Sequence, residues 1–333
     1  MNTMTKKVIR IDQSIEADEV EESADFAAAL TPAEREEART LAQGVVAAAV
    51  KGALHRIDPQ RYPLADAADV LEAQVSTAMA ALPVKAAQRI GPRVMAIGDG
   101  TRVPALLKGI DPDAFRKARH TIKPIERGRL LRPVARVSGG SAPAPAKYTR
   151  AILELRAIHC VRETGGGGAD EIVFGGVLVG ASGNTNAIDA FDAGDFDSGT
   201  YAEFGAKPIG RYSLKTIEGY PSHLYAIFML VESDSDDQDV ANALTSTITV
   251  IAVAAAAYFS GGLAAGAAYA VFEAIGGLID SFFGPDALRH YGIRLTLDSN
   301  DPFGKPVGPK MRTGNITGDG AIYRVGYRWV LSA

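Results

Sequence analysis

Cysteine is all but missing from this chain. Cys160 is the only one among 333 residues, which excludes an internal disulfide framework and any site built on several thiolates. It sits in LRAIHCVRE, where apolar and polar residues alternate as in a buried strand. His159 then points to the opposite face of that strand, so the two do not form a nucleophile–base pair. Histidine is thin as well: His55, His120, His159, His223 and His290 are scattered, and no pair has metal-ligand spacing. There is no GxxxxGK[ST], no GxGxxG at a strand-to-helix turn and no GxSxG elbow, although GTRVPALLKG and TGGGGAD carry glycines. Nucleotide binding and motif-bearing hydrolysis are left without support. The opening MNTMTKKVIRIDQSIEADEVEES lacks the apolar core of a secretory signal. Synthesis and folding in the cytoplasm are expected, with any export by a signal-independent route.

What is there is globular. Apolar residues make up 47% and charged residues 22% of the chain, enough to bury a sizeable core. The net charge of −4 hides three blocks: residues 1–40 carry 5 basic and 10 acidic groups, residues 41–150 carry 18 and 8, and residues 151–333 carry 12 and 21. Blocks of opposite sign dock on one another or meet different partners. The basic block has few aromatics and dispersed arginines, the pattern of a solvated helical surface, so no nucleic-acid partner is expected.

The period of the apolar residues changes once. Residues 1–25 read as an acidic flexible arm. Residues 26–137 read as a helical domain, opened by Thr31 as N-cap, Pro32 at the first helical position and Glu34 completing a capping box. A second helix covers ADAADVLEAQVSTAMAAL, Pro83 and the GPR at Gly91 interrupt the helical pattern beyond it, and a shorter helix starts from Asp111. SGGSAPAPAK, residues 138–147, has no periodicity and reads as a linker. From 148 to 333 the period is two: AILELRAIHCV, DEIVFGGVLVGA, GRYSLKTI, HLYAIFMLVES, GIRLTLDS and AIYRVGYRWVLSA read as strands of an antiparallel β-sandwich. The fold class expected is α+β, an N-terminal helical domain followed by that sandwich with an inserted helical hairpin at about 240–284.

The acidic residues of the second half gather in the segments read as turns. Asp170 follows TGGGGA, Asp195 and Asp197 lie in IDAFDAGDFDSG, and Asp234, Asp236 and Asp239 lie in ESDSDDQD. Carboxylates spaced by two along a loop can turn toward one hard cation, which wants six to eight oxygens. In GGGGADEIVFGG and VESDSDDQD this arrangement resembles a C2-like calcium-binding β-sandwich over residues 148–333. The resemblance implies calcium as cofactor, Asp170, Asp195, Asp197, Asp234, Asp236 and Asp239 as its ligands, and a membrane surface or protein as partner. The family pattern is broken by the long apolar insertion after the acidic loop.

Residues 240–272 contain no charged side chain, enough for one spanning helix or two short ones turning near Gly261 and Gly262. Gly262 and Gly266 permit close helix contact. Glu273 and Asp280 share one face of the return helix, opposite Tyr269, Phe272, Ile275 and Ile279, the pattern of an amphipathic helix packed on protein. A buried hairpin is expected, with a membrane-inserting one as the competing reading. The function expected is non-enzymatic: an interaction protein, effector-like or toxin-like in its sharper form, with calcium-dependent engagement. A structural subunit of a larger assembly, homo-oligomeric in the simplest case, and an enzyme without a linear motif stay open.

Overall fold

The structure is a computed structural model. It describes residues 9–10, 20–21, 24–64 apart from 29, 73–117 apart from 74, 76, 80, 81 and 83, and 148–232 apart from 166, 167, 216, 218 and 219. It further describes 244–252, 264–283, 290–299 and 311–333 apart from 319. The expected linker, the turn of the hairpin and Asp234, Asp236 and Asp239 lie outside these residues.

Among the described residues, ten strands form two antiparallel sheets with one parallel edge pair. They are β1 (Ile9–Arg10), β2 (Val20–Glu21), β3 (Arg150–Arg162), β4 (Asp170–Val179), β5 (Thr185–Phe196), β6 (Thr200–Ser213), β7 (Ser222–Glu232), β8 (His290–Leu297), β9 (Arg312–Gly318) and β10 (Ala321–Ser332). The outer sheet has the order β1-β6-β3-β10-β9-β2, and the central sheet β5-β4-β7-β8. A layer of helices covers the far face of the central sheet, so the sandwich is the first two of three layers. The α+β architecture expected from the change of period is the one found.

The central sheet explains why HLYAIFMLV is apolar throughout. In β7, Leu224, Ala226, Phe228 and Leu230 face the outer sheet, while Tyr225, Ile227, Met229 and Val231 face the helices. Strand β4 does the same with Phe174 and Leu178 on one side and Val173, Val177 and Val179 on the other. A strand buried on both faces loses the polar half of its alternation. Strands β3 and β10 of the outer sheet keep it.

The helical layer contains α1 (Pro32–Ile57), α2 (Val84–Gly98), a 3-10 turn (Ala105–Leu107), α3 (Asp113–Arg116), α4 (residues 244–252) and α5 (Ala264–Leu278), which runs into a π turn (Ile279–Phe283). Thr31 caps α1 as expected: its hydroxyl accepts from the Glu34 amide, and the Glu34 carboxylate accepts from the Thr31 amide at 2.8 Å. From Gly44 to Leu54 every residue of α1 is buried. Small side chains allow this. Gly277 of α5 lies so close to α1 that an added Cβ would stand 3.1 Å from a Val46 methyl and 2.6 Å from one of Leu106. The buried Lys51 stays tied to a polar partner, its ammonium donating to the Lys117 carbonyl at 2.9 Å.

Three local expectations change. The Gly91–Pro92 pair does not end a helix, because α2 runs through it; Pro92 and Gln88 line an open groove, where the carbonyl that proline leaves without a donor can meet water. IDAFDAGDF is strand, the end of β5, and not a turn. RTGNITG forms β9, which the sequence did not announce. The second helix expected at 65–82 falls largely outside the described residues; of those described there, Val75 and Met79 are helical and buried.

The inserted helices are part of the core. The stretch from Ala264 to Phe283 is long and apolar enough to cross a membrane, but 67% of it is buried inside the protein. Asp280 binds Arg102 at 2.7 Å. Helices on both sides of residues 138–147 share one apolar cluster with the central sheet, and Phe26 seals it edge-on against Tyr225 and Phe272.

Candidate functional site

One end of the sandwich gathers carboxylates. Strand β3 ends there, β4 begins, β5 ends, β6 begins and β7 ends. The register sets Glu171 opposite Asp195, Asp170 opposite Phe196, and Ile172 opposite Glu232. Glu163 joins them from the end of β3, where its carboxylate accepts from the Ser198 amide at 3.2 Å and its own amide donates to the Ser198 hydroxyl at 3.0 Å.

Asp170 is the buried member, 2% exposed. Its Oδ2 accepts from the Thr164 amide at 2.9 Å and from the Tyr323 hydroxyl at 2.6 Å, and its Oδ1 accepts from the Thr164 hydroxyl at 2.6 Å. Three donors satisfy a buried carboxylate that would otherwise be costly. The Thr164 hydroxyl also lies 3.0 Å from Glu232 Oε1. A hydroxyl carries one proton, so it serves one carboxylate at a time, and the shorter contact favours Asp170. The clasp ties the turn after β3 to β4, β7 and β10.

The same clasp quiets the thiol. Burial pushes Cys160 up to about 11, the Tyr323 hydroxyl beside it pulls the other way, and the Asp170 charge adds to the rise. Burial, and then the hydrogen bond to Asp170, push Tyr323 far above the usual phenol range. Both groups stay protonated at neutral pH, so Cys160 is packing rather than a nucleophile.

The other expected ligands stand differently. Asp195 is exposed on β5 and projects to the face of the central sheet opposite Asp170, because residues 195 and 196 alternate and Phe196 faces the sandwich interior. Asp197 is exposed at the turn into β6, its carbonyl accepting from the Thr200 amide at 2.9 Å and the Thr200 hydroxyl at 2.7 Å. The structure therefore brings Asp170, Asp195 and Asp197 to one end but does not aim them at one point. Among the described residues no three histidine, cysteine or acidic side chains form a metal-holding group. Asp234, Asp236 and Asp239 follow Glu232, the last residue of β7, in the sequence and lie outside the described residues.

Sequence reading missed Thr164, Tyr323 and Glu232. Tyr323 lies 153 residues from Asp170, and no local pattern links them. Elsewhere, a groove of about 450 Å³ between α1 and α2 is lined by Arg56, Ile57, Val84, Gln88 and Met95 among others, with no carboxylate, histidine or nucleophile. No family model and no curated protein matches this chain.

Proposed function

We propose that the protein is a non-enzymatic interaction protein that engages a protein partner through the acidic end of its sandwich, with calcium as the ion between them. One observation carries the reading: the register that brings Glu171, Asp195 and Glu232 to neighbouring strand ends, with Asp234, Asp236 and Asp239 next in the sequence after Glu232. Like charges set directly across a strand pair repel, and a hard cation with flexible oxygen ligands relieves that repulsion. Asp195, Asp197 and the loop supply this ligation, while Asp170 serves as the clasp that holds the strand ends in place. The toxin-like, membrane-inserting version loses its carrier, because the one long apolar helix among the described residues is mostly core.

The test is thermal melting of the unmodified protein and of the Asp234→Asn/Asp236→Asn variant, with and without millimolar calcium. A ligand that binds only the folded state raises its melting temperature. The unmodified protein should gain several degrees and the variant markedly less. A melting temperature indifferent to calcium removes the ion from the reading.

A further inference from the structure

Strands β5 and β6 follow one another in the chain but belong to different sheets, and among the described residues no ladder joins them. A basic side chain enters the seam between them. Lys207 of β6 lies opposite Leu155 of β3, a residue of the sandwich core, and residues directly opposite share a face. Phe204 packs against the same core although it stands three residues earlier, a spacing that plain alternation sets on opposite faces. An irregularity in the ladder explains this. From the Ala157–Glu203 pair to the Leu155–Lys207 pair β3 advances two residues and β6 four, and Gly205, at φ +62°, takes the left-handed conformation that breaks the alternation.

Aromatic rings rather than carboxylates surround the amine. Lys207 Nζ stands 3.1 Å from the centre of the Phe191 ring and 5.8 Å from that of Phe204, and the two rings meet edge to face at 5.8 Å. Phe191 continues through Phe174 into the core. Among the described residues no acceptor lies within hydrogen-bond reach of Nζ and no carboxylate within 4 Å of it. The side chain is half-buried, and burial holds its amine below the usual lysine range. The ring faces return part of the ammonium's lost hydration, but they offer nothing that a neutral amine loses. Neutral, it still points an N–H at a ring and keeps its lone pair free. Lysines desolvated by apolar surroundings are the nucleophilic ones. The other settings differ: Lys51 donates to a carbonyl, while Lys108 and Lys117 are exposed.

We propose that Lys207 is a covalent modification site, acylated on Nζ by acyl thioesters. The neutral amine attacks the thioester carbonyl, a C–N bond forms as the C–S bond breaks, and the thiol leaves with the proton that the nitrogen gives up. Thioesters are the fitting class, because they acylate amines in water and carry an apolar acyl group to an apolar slot. The product is an uncharged amide whose acyl group lies against the ring faces that held the ammonium. This site is separate from the acidic end and does not depend on the interaction proposed for it.

Trace acylation of the full chain tests this without any variant. The folded protein is treated at neutral pH with a limiting amount of the acetyl thioester of N-acetylcysteamine, then unfolded and fully acetylated with deuterated acetic anhydride. Peptide mass spectrometry reads the light fraction at each lysine. Lys207 should be labelled at least about threefold faster than Lys108 and Lys117. The same labelling in concentrated urea should erase the advantage, because it belongs to the ring-lined seam and not to the local sequence. A smaller advantage in the folded protein, or one that survives unfolding, would overturn the proposal.

Discussion

At the scale of single residues, the Thr164–Asp170–Tyr323 clasp decides how the acidic end is held. Tyr323→Phe removes one donor from a buried carboxylate and leaves it the two from Thr164. The cost should be about 1–3 kcal/mol, read as a lower urea midpoint with an unchanged slope; an unchanged midpoint would show that the contact contributes nothing. The raised groups set a pH dependence of definite sign. Burial pushes the Cys160 thiol up from an ordinary 9.0 to about 11 and the Tyr225 phenol up to about 12. A group whose folded pKa is raised gives its full stability below the unfolded value and loses it as pH rises through the folded one. Stability should therefore fall above pH 9, by on the order of 1–2 kcal/mol from Cys160 by pH 11. Urea midpoints between pH 8 and 11 check this, and Cys160→Ala should flatten the first part of the fall. Asp170 was legible as an acid at the end of a strand. Its partners were not, because β10 returns to β3 from the far end of the chain.

At the scale of elements, the sequence was clearest where one local rule sufficed. Thr31, Pro32 and Glu34 announced the start of α1, and period two announced β3 and β10. It misled where two rules competed. Strand β5 reads as an acidic turn because aspartate disfavours strands, yet Ile188, Ala193 and Phe196 reach the sandwich core between the aspartates. Alternation prevailed over propensity. Strand β9 carries only Ile316 in the same core, too little apolar signal to notice, and its pairing to β10 supplies the rest. The inserted helix follows the opposite logic: apolar enough for lipid, it is packed against α1 through alanine and glycine. Ala267 is fully buried on α5, so a larger side chain there must displace its neighbours. Ala267→Leu should lower stability by roughly 1–3 kcal/mol in thermal or urea melts and leave liposome leakage at background. Unchanged stability with increased leakage would make α5 a membrane element.

At the scale of the whole molecule, charge is sorted by layer and by end rather than by position along the chain. Arginines occupy the free face of the outer sheet, carboxylates gather at one end of the sandwich, and a single apolar cluster joins helices on both sides of residues 138–147. The block charges counted along the sequence did not say which surface would take which sign. That depended on register, which places Arg324 beside His159 and Glu171 beside Asp195. The proposed cation-bridged contact would form at the acidic end of this three-layer core. Calorimetric titration of calcium into the full-length protein tests this most directly. Saturable binding of calcium, weakened at least tenfold in an Asp195→Asn/Asp197→Asn variant that melts like the unmodified protein, is the result expected. No saturable heat at millimolar calcium, or equal binding by that variant, would contradict it.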